Sequence, residues 1–225
     1  MQNKEIHFVW KQFHFHKDDL IAIYKVGAPT ILTQAFSSIV VAGMNLILGF
    51  YSDTAVAFFG VYFKLQNFVF MPMNGLGQGA LPIGGFNTGA KNWKRVKDTC
   101  RVSLGFAAVI ACVGVVIFES VPGMLLACFK AGAGMMQIGI PALRIIAPTI
   151  LFAAVTMVTG YLISGFGNGM VNMTGTAIRQ LIILLPSVWL LSRCFGINYV
   201  WYAFWISEIT AVIYAVLRLN SYIKN

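Results

Sequence analysis

Six long apolar runs, separated by short polar stretches, dominate the hydrophobicity pattern of the chain. They cover residues 22–50, 54–84, 101–120, 139–165, 177–194 and 198–218. A helix needs about 20 mainly apolar residues to cross the roughly 30 Å hydrocarbon core of a bilayer, so each run predicts one spanning helix. None of the runs shows the alternation of polar and apolar residues that is typical of a membrane β-strand. The pattern therefore predicts an all-α polytopic membrane protein with six transmembrane helices.

Composition supports this interpretation and excludes other classes of protein. Of the 225 residues, 58% are hydrophobic and only 10% are charged, whereas soluble domains carry about 25% charge. The net charge of +9 could indicate a nucleic-acid partner, but the sequence has no polar domain that would present a basic surface. His14 and His16 have the spacing of a metal-binding pair, but two ligands on a single N-terminal segment are too few for a good metal site. We therefore predict neither a metal site nor nucleic-acid binding.

The Lys and Arg residues between the runs predict the orientation in the membrane. Twelve of them lie on the side of the termini, and only Lys130 and Arg193 lie on the opposite side. Lys64 and Arg144 fall inside runs and do not enter this comparison. Because cytoplasmic loops carry an excess of Lys and Arg, both termini are predicted to be cytoplasmic, with the protein in the cell membrane.

The second run contains several residues that weaken helices. Pro72 and Pro82 each lack a backbone donor and can bend a helix. Gly75, Gly77 and Gly79 have no side chain, so a neighbouring helix could approach closely there. A bent helix whose faces carry small residues suits a helix bundle that changes conformation. Tight packing alone would explain the same residues, because Gly and Pro are common in transmembrane helices generally.

A motif in this run and the following loop resembles one in the multidrug and toxic compound extrusion (MATE) family. The stretch is FKLQNFVFMPMNGLGQGALPIGGFNTGAKNWKRVK, and it resembles the eighth helix and the next loop of such transporters. Matching positions are Asn67, Pro72, Gly75, Gly79, Pro82, Gly85, Asn87, Gly89, Ala90 and Arg95. KVGAPTILTQ, LRIIAP and AIRQLIILLP resemble further stretches of the same half of a transporter. The resemblance covers essentially the whole chain and is nearest to the MepA-like bacterial branch.

The resemblance implies that the chain is one half of a transporter. MATE proteins have two six-helix lobes that face each other across a central chamber, and this chain has the length and landmarks of the C-terminal lobe. Residues 1–21 would form the amphipathic cytoplasmic linker between the lobes, 22–218 the lobe itself and 219–225 a cytoplasmic tail. The chain is then either a fragment of a longer protein or the partner of a separate lobe.

The same resemblance implies export rather than catalysis. The expected function is antiport of organic cations or drugs out of the cell against an inward flow of H⁺ or Na⁺, with no cofactor besides the coupling ion. The expected partners are the lipid bilayer, small organic substrates and a second six-helix lobe. One alternative is a flippase or exporter of lipid-linked precursors, which should line its chamber with several cations. Another is a membrane scaffold that transports nothing.

Glu208 is the main candidate for a mechanistic residue. It lies near the middle of the last run, where a charged side chain is costly enough to suggest a function. The carboxylate could take up and release a proton during transport, or it could bond a neighbouring helix. Some relatives carry an acidic residue in the first helix of this lobe, but residues 26–50 contain none, and Ser37 and Ser38 stand in that region. Any coupling carboxylate is therefore expected in the missing lobe.

Other polar residues within the first two runs are candidates for the substrate or ion pathway: Gln34, Asn45, Lys64, Asn67, Asn74 and Gln78. Lys64 could instead pair with a carboxylate or extend toward the headgroups. Met71 and nearby aromatic residues would suit a soft pocket for flat, lipophilic cations, although packing and lipid contact also explain them. Arg179 is expected to anchor the fifth helix at its cytoplasmic start. The predicted hinge and packing positions are Pro29, Pro72, Gly75, Gly79 and Pro82.

Overall fold

The computed structural model describes residues 16–224, and within this range the chain is helical and has no β-strand. In chain order the helices are α1 (Lys17–Gly49), α2 (Asp53–Gly89), α3 (Trp93–Ser120), α4 (Pro122–Cys128), α5 (Ala133–Ile146), α6 (Thr149–Gly165), α7 (Gly169–Ala177), α8 (Leu185–Phe195) and α9 (Ala203–Lys224). A π-helical segment, Ile178–Leu184, joins α7 to α8, and a 3₁₀ segment, Ile197–Tyr202, precedes α9. Most of the predicted linker, residues 1–15, lies outside the described residues.

Five helical stretches are long and apolar enough to cross a membrane. They are Gly27–Gly49 of α1, α2, α3, the continuous run Gly169–Phe195, and Ile197–Tyr222. Helices α5 and α6 meet the same criteria only when they are taken together, as a pair bent by 53°. Counted as one span, this pair brings the total to six. The predicted all-α membrane fold is confirmed.

The bend between α5 and α6 falls at Ala147 and Pro148. Proline lacks the N–H that would continue the helical ladder, so carbonyl groups of the preceding turn need other partners inside the membrane. Two side chains supply them. Thr149 Oγ1 donates to the Ile146 carbonyl at 2.6 Å, and Trp205 Nε1 donates to the Ile145 carbonyl at 2.7 Å. The second bond also ties α9 to the bend.

The helices extend beyond the apolar runs that predicted them. Helix α2 continues to Gly89 and α3 begins at Trp93, so the basic loop between them is much shorter than the sequence suggests. The fifth span begins at Gly169 rather than near residue 177. Lys and Arg are good helix formers, so charge at a headgroup layer marks the end of the hydrocarbon and not the end of the helix. The short helix α4 was not anticipated.

Helix α6 lies at the centre of the bundle and packs against α2, α3, α7 and α9. At the α2–α6 crossing the two backbones touch, because a Cβ atom on Gly85 would lie 2.7 Å from the Gly165 carbonyl oxygen. A second part of the core is aromatic. The Phe58 ring meets the buried Trp201 ring edge-on at 5.0 Å, which joins α2 to the 3₁₀ segment before α9.

The outer surface of α3 is apolar. Val102, Phe106, Val109, Val113 and Val116 are each more than half exposed, and their spacing of three and four residues places them on one side of the helix. An apolar stripe of this length on a spanning helix suits contact with lipid tails. The polar surfaces of the bundle can be compared with this apolar stripe.

Candidate functional site

A second exposed face, on α2, is polar. We call it the polar stripe of α2; it consists of Lys64, Asn67, Met71, Asn74 and Gln78, which recur at intervals of three and four residues. Asn74 is half-buried and the other four are exposed. The stripe runs through the middle of a 37-residue helix, at a depth where a polar side chain should not face lipid tails.

The stripe residues make few contacts with other helices, so most of the polar stripe stays accessible. Asn67 Nδ2 donates to the Phe63 carbonyl of its own helix at 2.9 Å. Asn74 Oδ1 accepts a hydrogen bond of 3.0 Å from the Tyr161 hydroxyl on α6, so this residue also joins two helices. Lys64 Nζ lies 6.0 Å from the centroid of the Phe129 ring. Lys64 forms no salt bridge with any carboxylate among residues 16–224.

Helix α1 contributes polar residues of the same kind. Gln34 and Asn45 are both exposed, and Ser38 lies on the same side of the helix between them. Helices α1 and α2 are neighbours that pack against each other. All six polar pathway candidates of the first two helices are thus wholly or partly accessible from outside the helix bundle.

The predicted hinge and packing positions fall in different surroundings. Helix α2 continues through Pro72 and Pro82 without a break. No atom lies within 4 Å of a Cβ placed on Gly75 or Gly79, so no described helix approaches them. Gly77, the third glycine expected to allow a close approach, does meet a neighbour, and so does Gly85. Gly77 packs against the Tyr161 ring, and Gly85 packs against Gly165. A hinge role for the prolines stays a prediction.

Pro29, the remaining position of this group, is buried in α1. A Cβ on Gly169, at the start of α7, would lie 3.7 Å from the Pro29 ring. The proline therefore lies where α1 contacts the beginning of the fifth span. Such a contact is consistent with a packing position.

Glu208 lies inside the helix bundle, where its carboxylate pairs with an arginine. Arg179 Nη1 lies 2.6 Å from Glu208 Oε1, and both side chains are largely buried. This is the only salt bridge within the part of the chain that the structure describes. The pair joins α9 to the π-helical segment. Of the two roles considered for Glu208, the contact to a neighbouring helix is the one that the geometry provides.

Further hydrogen bonds surround the pair. Ser207 Oγ donates to the Arg179 carbonyl at 2.8 Å, so adjacent residues of α9 hold both the side chain and the backbone of Arg179. Thr156 Oγ1 on α6 lies 3.5 Å from Glu208 Oε2 but only 2.9 Å from the Phe152 carbonyl. Its single proton goes preferentially to the closer acceptor, which leaves the contact with Glu208 weak.

The position of Arg179 corrects the prediction that it anchors the cytoplasmic start of its helix. The helical run begins at Gly169, about 15 Å before Arg179 along the helix axis. The arginine can lie at this depth because Glu208 neutralises its charge. The sequence marks Glu208 as a charge within a span, but it places Arg179 at the edge of an apolar run, so the pair becomes visible only in the structure.

The aromatic and sulfur-containing residues near the stripe divide into two groups. Tyr62 and Met73 are fully buried and belong to the core, where packing explains them. Met71 is 68% exposed and Phe68 is 71% exposed. Only the second group can contribute to a soft surface for substrates. No group of three or more metal-ligating side chains occurs among residues 16–224, and His14 lies outside them.

Comparisons with known proteins establish the family. The family model MatE matches residues 29–190, which is more than half of the chain. The chain belongs to the MatE family. Proteins of this family are multi-pass membrane transporters and not enzymes, and the predicted resemblance is confirmed.

The most similar relatives of this MatE protein include multidrug export proteins. MepA of Staphylococcus aureus (strain bovine RF122 / ET3-1) is 27% identical over 212 residues, which cover 90% of this chain and 44% of that protein. MepA of Staphylococcus haemolyticus is 27% identical over 232 residues, covering 98% of this chain and 48% of that protein. The chain therefore spans about half the length of the curated relatives it matches.

A solved structure agrees with the fold. The Vibrio cholerae MATE transporter VcmN, in its bent form, superposes with a TM-score of 0.86 at 18% sequence identity. The match covers 96% of this chain and 49% of that one. At this identity the likeness concerns the arrangement of helices only.

Proposed function

We propose that this MatE chain is the C-terminal lobe of an antiporter that exports organic cations or drugs against an inward flow of H⁺ or Na⁺. The observation that carries the proposal is the polar stripe of α2. Polar and charged side chains at membrane depth almost always face a bundle interior or a water-filled cavity. In the lobe by itself, Lys64, Asn67 and Gln78 face outward.

A second lobe would enclose this face and form a chamber between the two. Its existence is supported by the lengths of the MepA proteins, of which this chain covers 44% and 48%. The assignment to the C-terminal rather than the N-terminal half rests on the motif positions from Asn67 to Arg95. Whether the second lobe belongs to the same polypeptide does not alter the role of the stripe.

The proposed substrate class follows from the surface of the stripe and from the relatives. Met71 and Phe68 offer polarizable and aromatic surface beside amide groups, which suits flat, lipophilic cations. The relatives from both Staphylococcus species are described as multidrug export proteins. The Glu208 carboxylate forms a salt bridge with Arg179, so we expect the coupling carboxylate in the other lobe.

Expression in a bacterium that lacks its own efflux pumps tests the proposal. The chain alone should give no ethidium resistance above the empty vector, because a chamber needs walls from both lobes. Joined to its N-terminal lobe, it should give ion-dependent export. In that complete transporter Asn67→Leu and Gln78→Leu should reduce export, whereas Val109→Leu, on the apolar outer side of α3, should not.

Two results would contradict the proposal. Robust, ion-dependent export by the isolated chain would mean that one lobe, or two copies of it, suffices. Normal export by both stripe variants, at wild-type expression, would remove the stripe from the transport pathway.

A further inference from the structure

A groove of about 620 Å³ runs between α2 and α3. It extends from Arg95, at the start of α3, to Phe106, a distance of about 16 Å along the helix axis. Ile83, on the α2 side of the groove, lies roughly 160° around the helix from Asn67. Gly75, at the edge of the groove, lies only about 40° around the helix from Met71, so the groove borders the polar stripe. Most of its α2 wall nevertheless faces a different direction from the proposed chamber.

The inner part of the groove is apolar and unfilled. Its walls include Leu76, Ile83 and Phe106, and Phe106 is 61% exposed. Gly75 and Gly79 form an open channel in the α2 wall, because nothing lies within 4 Å of a Cβ at either position. Ligand sites typically enclose 300–1,000 Å³, so the groove can hold a single apolar chain.

One polar group in this lining has no partner. Ser103 is only 5% exposed and lines the groove, and its hydroxyl forms no hydrogen bond with any described residue. The Ser103 oxygen is accessible from the groove, since Thr159 Oγ1 is the only fully buried side-chain polar atom without a partner among the described residues. The Ser103 hydroxyl can therefore donate a hydrogen bond to an occupant of the groove.

The mouth of the groove contains one cation and one carboxylate, and it lies in a segment rich in cations. Arg95 lines it and forms no salt bridge with a described carboxylate, including Asp98, which lies one turn further along α3. Residues 91–101 carry five cations, Lys91, Lys94, Arg95, Lys97 and Arg101, against the single carboxylate of Asp98. Both mouth residues belong to the first turns of α3, whose N-terminus also favours a negative charge.

We propose that this groove binds one anionic phospholipid. The phosphate lies against Arg95, a glycerol-ester oxygen accepts from Ser103, and an acyl chain follows the channel past Gly79. An arginine in a cation-rich segment, at the mouth of an apolar channel that starts at a helix end, has the layout needed for a lipid molecule in its leaflet. Basic pockets between transmembrane helices bind anionic headgroups in this way.

Native mass spectrometry of the purified chain tests this proposal. Dioleoyl-phosphatidylglycerol is titrated in detergent and compared with dioleoyl-phosphatidylcholine, which has the same acyl chains, and with glycerol 3-phosphate, which has none. Gly79→Leu fills the channel, and Gly105→Leu is its control because Gly105 is also open but lies outside the groove. Arg95→Gln removes the cation at the mouth, and Arg101→Gln removes one from the same cluster that does not line the groove. Melting temperatures without lipid verify that each variant is folded.

We expect phosphatidylglycerol to bind more tightly than phosphatidylcholine and glycerol 3-phosphate not to compete. Arg95→Gln should weaken phosphatidylglycerol binding about fivefold, the effect of one cation near an anionic headgroup. Gly79→Leu should abolish the tight site, and both controls should retain it. Equal binding of the two lipids, or equal losses for Arg95→Gln and Arg101→Gln, would overturn the proposal. Unchanged phosphatidylglycerol binding by folded Gly79→Leu would also overturn it. If Gly79→Leu does not fold, the difference in binding between Arg95→Gln and Arg101→Gln decides.

Discussion

At the scale of single residues, the pair between Arg179 and Glu208 determines what substitutions in the core will do. Removing two charges from water is expensive, and their mutual attraction offsets this cost only while both are present. The two residues lie in different helices, so the pair also fixes the orientation of α9 against the π-helical segment. A substitution at either position leaves the other charge buried alone.

We therefore expect Glu208→Gln to destabilise the protein by about 3–5 kcal/mol, the usual cost of breaking a buried pair. Arg179→Met combined with Glu208→Leu should recover most of that loss, because no charge then remains unpaired. Thermal melting of the purified variants, with monodispersity verified beforehand, measures both effects. If Glu208→Gln melts like the wild type but lowers proton-driven export in the complete transporter, the carboxylate has a coupling role and not a structural one.

Glu208 could be chosen from the sequence because it interrupts an apolar run, whereas its partner could not. Arg179 lies close to the edge of the apolar run 177–194, where a cation normally marks a headgroup layer. Only the helical continuation back to Gly169 shows that it lies deeper. Hydropathy reports the composition of a window and contains no information on which helices are neighbours.

At the scale of helices, the glycines of α2 show a similar limit. The sequence identifies the correct helix as rich in small residues and predicts close approach at Gly75, Gly77 and Gly79, of which only Gly77 meets a neighbour. The structure has the contacts at Gly77 and Gly85, which point toward α6. Successive helix positions are rotated by about 100°, so a glycine-rich stretch presents small surfaces in several directions. Sequence alone does not show which direction faces a neighbour.

Alanine substitution distinguishes the two kinds of glycine. Gly85→Ala should destabilise the protein by about 1–3 kcal/mol, because its Cβ would lie 2.7 Å from the Gly165 carbonyl oxygen and the helices would have to separate. Gly75→Ala meets nothing within 4 Å and should be neutral or stabilising, since alanine is the better helix former. Melting temperatures of the two variants, prepared in the same detergent, provide the comparison. Equal melting temperatures would show that α2 and α6 are not tightly packed at this crossing.

At the scale of the whole molecule, the orientation in the membrane stays a prediction, and it rests on the distribution of cations. Removing Arg179 from the cytoplasmic set leaves eleven cations against Lys130 and Arg193. The α2–α3 connection, which includes Asn92, should therefore face the cytoplasm. Gly132, before α5, should face the outside.

Single cysteines at these two positions, in a cysteine-free background, test the orientation. A membrane-impermeant maleimide added to intact cells should label position 132 and leave position 92 unmodified. Permeabilised cells serve as the control, since both positions should then react. Labelling of position 92 alone in intact cells would reverse the orientation and move the proposed lipid site to the outer leaflet.

The bend between α5 and α6 has a consequence for how the protein enters the membrane during synthesis. Helix α5 has 14 residues and α6 has 17, which correspond to about 21 Å and 26 Å. Neither reaches across the roughly 30 Å of hydrocarbon alone. We therefore expect the insertion machinery to retain α5 until α6 has been made, since α5 alone is too short to be released into lipid as a finished span. A nascent chain that stops after Ile146 would end inside the bilayer, with the last carbonyl groups of α5 lacking the partners that Thr149 and Trp205 later provide.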